Sequence, residues 1–196
     1  MSHRPDRHHR RSIRLRGFDY AQPGAYFITL CIHGSLPLLG HVLDGAMSLS
    51  PAGAAIETDW LALPERFADL HLDSYCLMPD HLHGILILGD CPALARSPVD
   101  AAGRGAMDGG QRQALPLQDV PDSARHSLAD IIQAFKSLST RTYIGGVREH
   151  EWPPFEGRLW QRNYWERIIR NERELLAVRD YIERNPQSWT AREHLG

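Results

Sequence analysis

Hydrophobic and polar positions along this chain change their period several times, and the changes mark out its elements. "AYFITLCI" (25–32) is β-branched and aromatic and follows the turn signal "QPG", which predicts a first strand. "GHVLDGAMSLS" (40–50) is interrupted by an Asp-Gly pair and predicts strand, turn, strand, or one bent strand. "SPAGAAIETDWLALPERF" (50–67) opens with a serine cap and a first-turn proline, then spaces Ile56, Trp60 and Leu63 as a helix does. "LDSYCLM" (72–78) and "HLHGILIL" (81–88) are two strands separated by Pro79-Asp80, which predicts an antiparallel hairpin. "SLADIIQAFKSLSTRTYI" (127–144) predicts a helix capped by Ser127, with an apolar stripe of Leu128, Ile131, Ile132, Phe135 and Leu138. "GRLWQRNYWERIIRN" (157–171) mixes aromatic and basic residues and predicts one or two short extended pieces. "NERELLAVRDYIERNP" (171–186) predicts a last helix, capped by Asn171, acidic in its first turn and ended by Pro186. The order β, β, α, β, β, α, β, α predicts an α+β fold of the ferredoxin-like or RRM-like kind, an antiparallel sheet covered by helices on one face.

Composition adds limits. With 196 residues, 42% of them hydrophobic, the chain can fill one core, so one domain is expected over 18–190. Residues 1–17 predict a basic flexible arm. Gly89 to Arg125 shifts to Gly, Pro, Ala and Asp without periodicity and predicts a flexible insert. No run of 18 apolar residues is present, which predicts no membrane span. The basic N-terminus leads into no apolar stretch, so no secretory signal is expected. Cys31, Cys76 and Cys91 are odd in number and lack paired metal-type spacing; they predict free thiols in a reducing cytoplasm. A net charge of -2 argues against a generally cationic DNA binder. The distribution of charge changes that picture. Of the 22 basic residues only Lys136 is lysine, and the arginines gather towards the two ends, where their forks suit phosphate oxygens and stacked bases.

The candidate chemistry begins at His81 and His83. Positions i and i+2 of a strand share a face, and two imidazoles side by side in an apolar strand suit a metal better than a core. Tyr181 and Asn185 are four apart on the last helix and share its face. Together these parts fit one reaction. A divalent cation polarises a phosphodiester, and a tyrosine oxygen attacks it to form a phosphotyrosine. A phenol with a pKa of about 10 needs help to lose its proton. The Asn185 carbonyl would complete a His-His-oxygen set with open positions, which suits Mg²⁺ or Mn²⁺ better than a closed structural zinc site. Asp80 is placed to orient a histidine. Plainer roles compete: a hydrogen-bonded histidine pair, a core-edge tyrosine, an asparagine before a proline. Tyr143 and Tyr164 are rival nucleophiles that read more as packing or DNA contacts. A histidine-triad hydrolase would need a third alternating histidine, where this chain has Ile85.

In this order, "FDYAQPGAYFITLCI", "MPDHLHGIL", "FKSLSTR", "LWQRNYWERIIRN" and "DYIERNP" resemble the REP-associated tyrosine transposases, relatives of the single-tyrosine HUH transposases. The resemblance spans roughly residues 14–189 apart from the insert. It implies that His81-Leu82-His83 is the HUH metal motif, Tyr181 the nucleophile and Asn185 the third ligand, an asparagine where some relatives have glutamine. It implies nicking of single-stranded DNA beside palindromic hairpins, a covalent 5′-phosphotyrosine, a free 3′-OH and resealing to another end. A basic groove with aromatics would grip such DNA, and its candidates are Arg162, Tyr164, Trp165, Arg167 and Arg170, with Arg14 and Arg16 of the arm. Relatives include monomers and homodimers. The competing expectations are a non-catalytic hairpin-binding descendant and a relaxase or replication-initiator nickase.

Overall fold

The computed structural model describes residues 22–89 and 126–193. The expected basic arm, with Arg14 and Arg16, most of the 89–125 insert and Cys91 lie outside the described residues. The framework is a four-stranded antiparallel sheet in the order β4-β5-β1-β6, formed by β1 (Gly24–Cys31), β4 (Leu70–Met78), β5 (His81–Leu88) and β6 (Trp165–Ile169). A helix α1 (Pro51–Leu61) precedes β4 and a helix α3 (Leu128–Glu149) precedes β6. This is the β-α-β-β-α-β arrangement of ferredoxin-like proteins, and the fold class is α+β as the sequence predicts.

Local chemistry accounts for the elements. Ser50 caps α1 by accepting from the Gly53 N–H at 3.0 Å, with Pro51 in the first turn where its missing N–H is harmless. A short helix α2 (Leu63–Arg66) follows α1. Ser127 and Asp130 form a reciprocal capping box on α3. The Asp-Gly pair turns a separate hairpin, β2 (Gly40–Leu43) and β3 (Ala46–Leu49), with φ of 50° at Asp44 and 75° at Gly45. Two consecutive positive φ values are what a type I′ turn requires.

Strand alternation divides the core in two. Tyr26, Ile28 and Leu30 of β1, with Leu82 and Leu86 of β5, face α1 and α3. Gly84 keeps that face open for Trp60, since a Cβ there would lie 2.6 Å from the indole. Trp160 is buried beside them and donates its indole N–H to Ser139 Oγ at 2.9 Å. On the opposite face Ala25, Phe27, Ile85 and Ile169 pack against Leu175, Val178 and Ile182 of helix α4 (Glu172–Glu183). The sheet is therefore covered on both faces, which corrects the expectation of helices on one face only. The last helix also differs from its prediction. It stops at Glu183, and a further helix α5 (Asn185–Glu193) begins with Pro186 near its start. A proline in a first helical turn forfeits a hydrogen bond that would be missing anyway, so Pro186 starts a helix there rather than ending the last one.

Candidate active site

The two-residue turn Pro79-Asp80 joins β4 to β5 and sets Met78 opposite His81. With that register His83 sits between Thr29 of β1 and Cys76 of β4, on the face covered by α4. Each imidazole is held from behind. His81 Nδ1 lies 2.6 Å from Asp80 Oδ1, and His83 Nδ1 lies 2.9 Å from Thr29 Oγ1. A carboxylate only accepts, so His81 carries its proton on Nδ1 and presents a lone pair at Nε2. Phe27 stacks on His83 at 5.5 Å between ring centroids, and Trp189 of α5 lies 5.7 Å from His81.

The two Nε2 atoms converge to 3.1 Å. Two ligand bonds of about 2.1 Å meeting at 90° would set their nitrogens about 3.0 Å apart, so the pair could share one cation. Without a cation His83 Nε2–H can donate to His81, with the Thr29 hydroxyl donating to His83 Nδ1. A hydroxyl both donates and accepts. Rotating it lets Thr29 accept from Nδ1–H and frees both Nε2 lone pairs. Burial, and secondarily the repulsion of His81 when that ring is charged, pushes His83 down to about 3, so it stays neutral. Cys76 is a poor donor by comparison, because burial and the charge of Glu57 push its thiol up to about 11.

Tyr181 reaches this point from the other layer. Leu175, Val178 and Ile182 seat α4 on the sheet, leaving the Tyr181 ring 48% exposed. Its hydroxyl lies 3.4 Å from His83 Nε2, and its ring stands edge-on to Phe27 at 5.9 Å. Two residues earlier Arg179 forks onto Asp73 of β4, Nε to Oδ1 at 2.8 Å. Burial alone would raise the Asp73 carboxyl, but hydrogen bonds from Arg179 and Ser74 and the guanidinium charge outweigh it and hold it low.

Asn185 is buried at the start of α5, one turn beyond Tyr181 and one turn before Trp189. No hydrogen bond to its carboxamide is made among the described residues. Among the described residues no three His, Cys, Asp or Glu side chains converge on one metal position.

A cleft of about 770 Å³ opens beside Tyr181, between β6 and α4, with Phe27 and Thr29 at its floor. The sequence-predicted DNA residues divide around it. Trp165 and Arg167 line it. Arg162 and Arg170 are exposed outside its lining. Tyr164 packs on the core cluster of the α1 and α3 face, with Lys136 Nζ 5.4 Å above its ring. It therefore sits across the sheet from the cleft that Trp165 lines. Lys136 also donates to the carbonyls of Gln161 at 2.8 Å and Arg162 at 3.3 Å, tying down the approach to β6. Sequence reasoning missed Thr29, whose partnership with His83 depends on strand pairing. It also missed Asn171, Arg173 and Glu174 as cleft residues, which only the docking of α4 reveals.

No described helix is long and apolar enough to cross a membrane. No known family profile matches the chain. It is 33% identical over 183 residues to an uncharacterized protein of Haemophilus influenzae, covering 93% of this chain and 91% of that one. Among solved structures it is similar to a REP-associated tyrosine transposase bound to a REP hairpin, at 16% identity and a TM-score of 0.48, covering 91% of this chain and 73% of that one. A proposed transposase from Deinococcus radiodurans R1 is similar at 16% identity and a TM-score of 0.43, covering 88% of this chain and 96% of that one. At these scores neither likeness carries weight for the chemistry.

Proposed function

We propose that this chain, which belongs to one family with the Haemophilus influenzae protein, is a transposase-type endonuclease and strand transferase acting on single-stranded DNA beside palindromic hairpins. The observation that carries the reading is the approach of the Tyr181 hydroxyl to His83 Nε2, which itself lies 3.1 Å from His81 Nε2, with the far sides of both rings held by Thr29 and Asp80. A structural histidine pair has no need of a half-exposed phenol 3.4 Å from one of its Nε2 atoms.

His81 and His83 would hold a divalent ion, with the carbonyl oxygen of Asn185 as the expected third donor. Bound there, Mg²⁺ or Mn²⁺ would withdraw charge from a non-bridging oxygen of the scissile phosphate. Tyr181 Oη attacks phosphorus, the P–O3′ bond breaks, and the strand leaves as a free 3′-OH with its other half joined to Tyr181 as a 5′-phosphotyrosine. The phenolic proton passes to solvent, which reaches the half-exposed ring, and solvent supplies the proton that the leaving 3′ oxygen takes up. Phe27 beneath the ring and the α4 packing limit its motion, so that little reorganisation precedes attack. Attack of a second 3′-OH on the phosphotyrosine would reverse the step and join new ends, returning the proton to Tyr181. Arg173, on the cleft, is a described cation at hand for the DNA backbone.

The test is cleavage of single-stranded oligonucleotides that carry palindromic repeats from the genome encoding this chain, with Mg²⁺ or Mn²⁺. The parent should nick beside the hairpin, and chelator, Tyr181→Phe and the His81→Ala, His83→Ala double variant should each abolish nicking. Hairpin binding without nicking by the parent would instead favour a non-catalytic hairpin-binding descendant.

A further inference from the structure

The cleft beside Tyr181 is larger than a nucleophile needs. Its 770 Å³ lies within the range of about 300–1,000 Å³ typical of small-ligand pockets. Trp165 forms one wall and leaves an aromatic surface 48% exposed, where a core tryptophan would be covered. Arg167 of β6 and Glu174 of α4 meet at 3.7 Å, with the Arg167 side chain 54% exposed. A hydrogen-bond donor and an acceptor thus stand side by side at the entrance to the cleft.

We propose that this cleft is a subsite for one unpaired nucleobase, that of a nucleotide flanking the scissile phosphate, stacked on Trp165 and met at its edge by Arg167 and Glu174. The proposal rests on the reading of Tyr181 as the nucleophile. Three features select a base over other occupants. Every base offers a π-face to an indole. Every base edge alternates donors and acceptors, which an arginine and a carboxylate can answer together. Glu174 offsets the charge of Arg167 at 3.7 Å, so of the two arginines in the lining Arg173 alone is left for a phosphate. The phosphate therefore stays at the Tyr181 end, and the base enters the cleft. Withdrawing that base from the strand also holds its phosphate against the Tyr181 hydroxyl, so the subsite would select unpaired DNA as well as position it.

The experiment is a chemical double-mutant cycle. The cleavage position on a hairpin oligonucleotide is mapped first. Single abasic sites are then placed at each flanking nucleotide, and affinity is measured by fluorescence anisotropy with the full chain in chelator. One abasic position should weaken binding about tenfold, the lower range for a lost base stack. Trp165→Ala should weaken the intact oligonucleotide similarly and the abasic one no further, while Trp165→Phe keeps most of the affinity. If the losses from Trp165→Ala and from every abasic site multiply, or if Trp165→Ala binds as the parent does, the subsite is refuted although nicking persists. If the chain neither binds nor nicks single-stranded DNA, the subsite and the proposed function fall together.

Discussion

Removing the Asp73 carboxylate should weaken the fold and slow the reaction by separable amounts. Arg179 and Asp73 make two charge-assisted bonds between α4 and β4, with side chains 28% and 11% exposed. Exposed pairs contribute under about 1 kcal/mol, and breaking a buried one costs about 3–5 kcal/mol. A pair this sheltered belongs between, at about 2 kcal/mol. Asp73→Asn leaves Leu175, Val178 and Ile182 in place, so α4 stays docked. What it loses is the anchor fixing the height of the helix two residues before Tyr181. If about 1.4 kcal/mol of that loss reaches the transition state, turnover falls about tenfold. Affinity for DNA should not change, since neither residue lines the cleft. The pH dependence has a definite sign. The folded Asp73 titrates below its ordinary range. Its stabilisation is therefore complete above the unfolded value of about 3.9 and is lost as pH falls through the lower folded value. Urea melts of parent and Asp73→Asn should differ at pH 7 and converge in acid. Exchanging the charges, Asp73→Arg with Arg179→Asp, should recover part of the turnover lost in either single variant. Full turnover in Asp73→Asn, or a swap no better than the single changes, would refute the positioning role.

Thr29→Val removes the hydroxyl behind His83 Nδ1. It should lower divalent-ion affinity about 10–100-fold in calorimetric titration while the melting curve barely moves. Asn185→Ala should also weaken ion binding without unfolding the chain, and unchanged affinity would remove Asn185 from the donor set. Gly84→Ala forces a methyl to within 2.6 Å of the Trp60 ring and should destabilise by about 1–3 kcal/mol in urea melts.

Much of the fold was legible because local rules and global packing agree. The Asp-Gly turn, the Ser50 and Ser127 caps and the alternation that puts His81 and His83 on one face all follow from the residues themselves. The covered second face was harder to see. "HLHGILIL" is close to continuously apolar, as strands buried on both sides are, and two histidines disguise the pattern as half-exposed. Pro186 misled because proline both follows helix ends and opens helices, and a sequence does not distinguish the two. Trp165 and Tyr164 are neighbours of equal promise in sequence, yet alternation sends one to the cleft and the other to the core. Thr29, Arg173 and Glu174 carry no motif. Their place at the site comes from the pairing of β1 with β5 and the docking of α4.

In the proposed mechanism Tyr181 becomes covalently joined to DNA. The direct measurement is to trap protein on a hairpin oligonucleotide with Mg²⁺, digest with nuclease and trypsin, and weigh the peptides. Trypsin releases Asp180–Arg184, whose one tyrosine is Tyr181. That peptide should appear with the added mass of a nucleotide phosphate and disappear in chelator. A remnant on a peptide holding Tyr143 or Tyr164, or nicked DNA with no peptide modified, would contradict the mechanism.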